Sequence, residues 1–229
     1  MIYLLLALLL IGLLVMPRLA IIHTLKKHNI ARADIPGSGG QFAGHLLKRL
    51  ALADDVSVEA VDGGDHYDPQ AKTVRLGRDH FDRHSLAALV VAAHEVGHAL
   101  QHAENNRWLA LRQQLLNAAQ LIEKIAPLTL TIAPLLLAVT RSPLLSFVVL
   151  AIGFLSIAMT TLLHLLTLPV ELDASFNKAL PLLVDGNYLP QPDDYPKART
   201  LLRAAALTYV AQSLFNLLNI AYWLRLLRR

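Results

Sequence analysis

The chain contains no cysteine. A disulfide framework is therefore excluded, and so is any zinc site built on thiolates. A metal ion in this protein has to be held by His, Asp or Glu. Aromatic residues make up only 6% of the sequence, and no basic stripe is interleaved with them. Nucleic acid is accordingly not expected as a partner. Charged residues are also sparse, at 17% against about 25% in an ordinary soluble domain. Glutamate is rarer still: Glu59, Glu95, Glu104, Glu123 and Glu171 are the whole supply. That short supply narrows any search for a catalytic or ligating carboxylate. There is no internal repeat and no low-complexity linker.

Apolar residues fill the space the charges leave. They are 55% of the 229 residues, the mean hydropathy is +0.45, and they are gathered in blocks. Ile2–Met16 is nearly unbroken and can extend to Ile22, with Arg18 reaching back to the interface. A cleaved signal peptide is the alternative, but the segment lacks a basic start and a small-residue cleavage site. Ile125–Thr140 and Leu144–Leu168 flank a break at Arg141-Ser142-Pro143, and Ala204–Leu224 is the last block. Blocks of this length read as membrane spans. The expected organisation is a transmembrane anchor over 1–22, a catalytic domain over 23–125 and a transmembrane hairpin over 126–168. A polar segment over 169–203 and a final transmembrane helix with a basic tail over 204–229 complete it. The net charge of +4 suits an anionic bilayer surface. Eleven basic residues flank the apolar blocks on the side of the catalytic domain and four on the other. Basic flanks mark the cytoplasmic face, so the expectation is an integral membrane protein with its active site in the cytoplasm.

Within the polar section, Gln41–Leu52 reads as a short helix behind the Pro36–Gly40 breaker run. Val56–Val61 alternates as a strand, Asp65–Pro69 reads as a turn, and Thr73–Leu76 is a second short strand. Ser85 then caps a helix that continues past Gln101, with a break near Asn105-Asn106.

That helix carries His94-Glu95-Val96-Gly97-His98. Residues four apart lie on one helical face, so both imidazoles can reach one zinc ion. Glu95, one residue on from His94, is placed as the general base for water at that ion. Two histidines and a glutamate in an apolar helix are costly without such a purpose.

A catalytic zinc needs a third protein ligand and an open position. Glu104 and Glu123 lie on or near the motif helix and point elsewhere, and Glu59 falls in a strand. Glu171, in Pro169-Val170-Glu171-Leu172-Asp173-Ala174-Ser175, is the best candidate, read as the start of a new helix after Pro169. The ordinary reading is a glutamate complementing a helix dipole. His102 is a rival ligand but lies two turns along the axis from His94. Two spans between His98 and Glu171 return the chain to the same face, which lets them meet.

Several segments together resemble the bacterial family of neutral membrane zinc metallopeptidases. They are Asp65–Pro69 (DHYDP), Lys72–Leu76 (KTVRL), Ser85–Ala88 (SLAA), Ala92–Gln101 (AAHEVGHALQ), Pro169–Ser175 (PVELDAS) and Ala204–Ala211 (AAALTYVA). The resemblance runs from about Gly37 to Gln212. It implies a gluzincin-like site with Glu171 as the third ligand of one zinc ion. Related HtpX-type and prenyl-protein peptidases carry E-x-x-A-D, where the Asp supports a zinc-bound His. Here Ser175 replaces that Asp, and Asp173 is the candidate to substitute for it. The fold class expected overall is a mainly α membrane protein with about four transmembrane helices and a zincin-like α+β metallopeptidase domain.

Three further assignments follow. Tyr209 is a candidate oxyanion stabiliser, although a tyrosine in an apolar block is more often a packing residue. His66, Tyr67 and Asp68 either line the cleft or hold a turn. Thr73–Leu76 is a candidate edge strand for an extended substrate. The expected activity is zinc-dependent endopeptidase cleavage of membrane or membrane-proximal polypeptides. The competing readings are a non-catalytic, zinc-stabilised membrane scaffold and a transporter with an incidental motif.

Overall fold

The computed structural model describes residues 22–116 and 142–206, together with the single positions Leu19 and Val139. After helical residues 22–28, helix α1 spans Gly39–Arg49. Ser38 and Gln41 start it with a capping box: the Ser38 hydroxyl accepts from the Gln41 amide, and the Gln41 side chain accepts from the Ser38 amide. Phe42, Ala43, Leu46 and Leu47 form its buried face, at the spacing of an amphipathic helix.

Three short strands follow: β1 (Ser57–Val61), β2 (His66–Asp68) and β3 (Thr73–Gly77). Their order is β1-β3-β2. β1 pairs parallel with β3, Val58 opposite Val74, and β2 pairs antiparallel with it, Tyr67 opposite Val74. Two expectations change here. The Asp65–Pro69 segment holds a strand as well as a turn. β3, expected as an edge, is the central strand, and its Val74 and Leu76 are fully buried. The edge on the other side of β3 from β1 is β2.

A short helix α2 (Arg78–Phe81) leads to α3 (Leu86–Ala103). Ser85 caps α3 by accepting from the Ala88 amide at 3.1 Å. The helix is apolar on nearly every face because it is the centre of the fold: Leu86, Val90, Ala93 and Val96 are all buried. It stops where Asn105 takes a left-handed φ of 54°, and helical residues 107–116 continue beyond.

Helix α4 spans Pro143–Leu172, with Ser142 as its cap and Pro143 in the first turn. It does not end at Pro169, as the proline suggests, but passes through it. It then widens into a π-helix over Asp173–Ala179 before α5 (Leu180–Asp185). Glu171 therefore lies in the last turn of a long helix, not at the start of a new one. Helical residues 194–206 close the described chain.

The expectation of about four transmembrane helices is overturned. Among the described residues, no helix is long and apolar enough to cross a membrane. The described architecture is mixed α+β around a small sheet. Part of the apolar surplus is spent on protein packing. α3 is surrounded by protein, and Leu163, Thr167, Val170 and Glu171 of α4 are buried. Most of the expected spans over 1–22, 125–140 and 204–224 lies outside the described residues.

Candidate metal centre

One turn of α3 separates His94 from His98. Their rings meet edge to face, with centroids 4.8 Å apart and planes at 78°. The last turn of α4 brings Glu171 against both. Its Oε2 lies 3.2 Å from His94 Nε2 and 3.5 Å from His98 Nε2. The three ligand atoms all fall within 4.8 Å of one another. Zinc bonds of 2.0–2.2 Å at tetrahedral angles place donor atoms about 3.3–3.6 Å apart. The carboxylate-to-imidazole spacings fit that figure, and two imidazoles with one carboxylate are a donor set that zinc accepts. All three side chains are buried, Glu171 with only 3% of its surface exposed.

The approach of Glu171 depends on a glycine. A Cβ on Gly97 would lie 2.8 Å from the carbonyl oxygen of Ala174 in the π-helix. With no side chain at position 97, the π-helix backbone lies directly on α3.

Electrostatics in the cluster follow from burial and from the pairing. Burial alone would raise the Glu171 carboxyl. The charge of His98 and hydrogen bonds from both imidazoles outweigh it and hold Glu171 far below the usual carboxylate range. For His98, burial works downward, and the charge and hydrogen bond of Glu171 overcome it, raising the group to about 9. Burial pushes the Glu95 carboxyl up, against the opposing pull of His94 and His98.

Both histidines are held from behind. His98 Nδ1 lies 3.0 Å from Gln101 Oε1, and His94 Nδ1 lies 3.1 Å from Ser175 Oγ. Gln101 Nε2 donates to Val170 O at 2.9 Å and to Asp173 Oδ2 at 2.7 Å. Asp173 thus reaches the cluster only through Gln101. Ser175, expected to leave a gap where relatives of the wider group have Asp, makes the contact to His94 itself. The sequence reading did not find Gln101, although its signal was available: it is three residues after His98, on the same helical face.

A cavity of about 220 Å³ opens onto the cluster, with Glu95, His66, Tyr67 and Arg112 in its lining. His66 and Tyr67 therefore face the cleft. Asp68 instead holds the turn, accepting from the Gln70 and Ala71 amides, and pairs with Arg75 at 2.6 Å. Burial and the charge of Asp68 raise the Tyr67 phenol to about 12, so it stays protonated. The Tyr67 hydroxyl contacts His102 Nδ1 at 2.8 Å. His102 is outside the metal cluster. Glu59 contacts Arg75 and Glu104 pairs with Lys178. Glu123 and Tyr209 lie outside the described residues.

The sequence model of the family described as “Putative neutral zinc metallopeptidase” matches residues 2–228. A Bacillus subtilis protein named “Putative membrane protease YugP” is 34% identical over 197 residues, which cover 85% of this chain and 83% of that protein. No solved structure matches.

Proposed function

The chain belongs to the neutral zinc metallopeptidase family, which it matches over residues 2–228, and from that premise we propose that it is a zinc-dependent endopeptidase with Glu95 as its general base. The observation that carries this reading is the convergence of His94 Nε2, His98 Nε2 and Glu171 Oε2 beside a cavity that Glu95 also lines. These three side chains would hold the ion. The chemistry supplied by zinc when bound is Lewis-acid activation of water and polarisation of a carbonyl oxygen. Glu95 accepts a proton from the attacking water at a carboxylate oxygen and returns it to the departing amine.

The family implies a polypeptide substrate. β2 pairs with β3 on one side only among the described residues, and its His66 and Tyr67 line the cleft. An extended peptide added along that edge would use its main chain for binding and present a peptide bond to the cluster.

We also propose action at the cytoplasmic face of a bacterial inner membrane. Leu144, Val148, Leu155, Leu162 and Leu165 of α4 are exposed at spacings that place them along one helical side. The Bacillus relative is itself named a membrane protease. Recovery of the expressed protein wholly in the soluble fraction would overturn this location.

Replacing Glu95 by Gln tests the chemistry. The variant should keep one zinc per chain and lose peptide cleavage by about 10²-fold or more, the scale of a lost general base. Wild-type cleavage by Glu95→Gln would remove the peptidase reading. Retained metal without any cleavage in the wild type would favour the scaffold.

A further inference from the structure

The hydrogen-bond donors behind the two histidines can be counted, and for His98 the count leaves no freedom. Gln101 is fully buried. Its amide nitrogen has two hydrogens, and two acceptors lie in reach: Val170 O at 2.9 Å and Asp173 Oδ2 at 2.7 Å. Neither acceptor carries a proton to offer. Turning the amide over would set Oε1 against a carbonyl and a carboxylate with no hydrogen between them, and burial makes that costly. Oε1 must therefore face His98 Nδ1, 3.0 Å away, and it can only accept. His98 Nδ1 therefore carries a hydrogen, which leaves Nε2 as the nitrogen that can bind an ion.

The same count applies to His94. Ser175 Oγ is 3.3 Å from Leu202 O, which accepts only. With the single hydroxyl hydrogen given to Leu202 O, Oγ is free to accept the Nδ1–H of His94 at 3.1 Å. In both histidines Nε2 is left as the nitrogen that faces Glu171.

We propose that Gln101 is a positioning residue for the metal centre: it fixes His98 in the Nδ1–H form with Nε2 turned to the ion, as Ser175 does for His94. The proposal rests on the zinc reading above. The acceptors touching the imidazoles are a neutral amide and a neutral hydroxyl. The nearest carboxylate, Asp173, acts one bond further out, by holding the Gln101 amide the right way round. Asp173 is in turn anchored by Asn177 Nδ2 at 2.8 Å. Gln101 thus ties a ligand of α3 to the end of α4 and to the π-helix. Orienting groups of this kind are worth about 10–100-fold in metal affinity.

The arrangement makes an unusual demand. Glu at 101 is a better acceptor for His98, yet it brings no hydrogens for Val170 O and Asp173. Gln101→Glu should therefore weaken the site, and a donor restored at 173 should repair it in part. The test is zinc affinity of the full chain by competition with a chromophoric chelator, together with ¹⁵N-histidine NMR of the zinc form. Wild type should bind one zinc and show an Nδ1–H signal for His98. Gln101→Leu and Gln101→Glu should each weaken zinc by about 10–100-fold and shift that signal. Gln101→Glu combined with Asp173→Asn should recover part of the affinity, because one of the two lost contacts regains a donor while Val170 O does not, and a variant that merely misfolds would recover none. Wild-type affinity and an unchanged His98 signal in Gln101→Leu and Gln101→Glu would overturn the role of Gln101 and leave the zinc reading standing. Failure of the double variant to regain affinity would overturn the amide-orientation argument. A wild-type chain that binds no zinc would overturn both the zinc reading and this one.

Discussion

Gly97 and Ala174 stand closer than any side chain at 97 would permit, with 2.8 Å between the position of a Cβ and the Ala174 carbonyl oxygen. The contact fixes how near the π-helix comes to α3, and hence how near Glu171 comes to His94 and His98. Gly97→Ala is helix-favouring by about 0.5–1 kcal/mol from propensity. The clash with a backbone oxygen should reverse that sign, with a net loss of roughly 1–3 kcal/mol typical of overpacking. The variant should also hold less zinc per chain. Thermal unfolding and metal analysis on the same sample check both. A more stable Gly97→Ala protein with full zinc would show that the two helices part without consequence.

Glu171 and Glu104 are separated by environment. Glu171 is buried against both imidazoles, and Glu104 is paired with Lys178 at 2.5 Å near the surface. Glu171→Gln should lose most of the bound zinc, because one of three protein ligands loses its charge. Glu104→Gln should keep the metal and shift stability by about 0–1 kcal/mol, the usual worth of an exposed pair. Equal zinc content in the two variants would remove Glu171 from the ligand set.

The histidine pair was legible because helical periodicity alone puts residues four apart on one face. The α3 start was legible because Ser85 is a capping residue in plain view, whereas α1 begins at Gly39, two residues before the expected Gln41, because Ser38 inside the breaker run is its cap. Glu171 was narrowed from a list of five, but its setting was not. Pro169 reads as a stop, and only packing shows that α4 continues through it into a π-helix. β2 was read as a turn because a three-residue strand between Gly64 and Pro69 carries too little pattern. The 144–168 block reads as a span because hydrophobicity alone does not say how much of a helix is packed on protein, as Leu163 of α4 is. Ser175 was read as a missing carboxylate, whereas distance shows it making the contact to His94.

Arg32 joins the start of the described chain to its last helix. Its guanidinium meets Asp194 bidentately, Nη1 to Oδ1 at 2.6 Å and Nη2 to Oδ2 at 2.9 Å. Asp194 is fully buried, and its other contacts are the Gln191 amide at 3.1 Å and Lys197 at 4.0 Å. Arg32→Met would leave that charge largely uncompensated, at a cost of roughly 3–5 kcal/mol. Asp194→Asn combined with Arg32→Met should recover part of the loss, since no buried charge remains. Urea denaturation of the two variants decides this. A loss under about 1 kcal/mol for Arg32→Met would reduce the pair to a surface contact.

Asp34 sits on the outer side of the same guanidinium, with Oδ1 2.9 Å from Arg32 Nε. The hydrogen bond from Arg32 lowers the Asp34 carboxyl to about 2 from an ordinary 3.8, with Gln191 and the charge of Arg32 adding to it. A carboxyl depressed in the folded state takes up its proton first in the unfolded chain. Its contribution is therefore complete above the ordinary value and is lost as pH falls toward about 2. Asp34→Asn removes that dependence while leaving the Arg32–Asp194 pair in place. Urea midpoints followed from pH of about 5 down to about 2 should fall less steeply in Asp34→Asn than in the wild type, with the curves converging at the acid end. Parallel curves across that window would show that Arg32 does not hold the Asp34 charge in the folded protein.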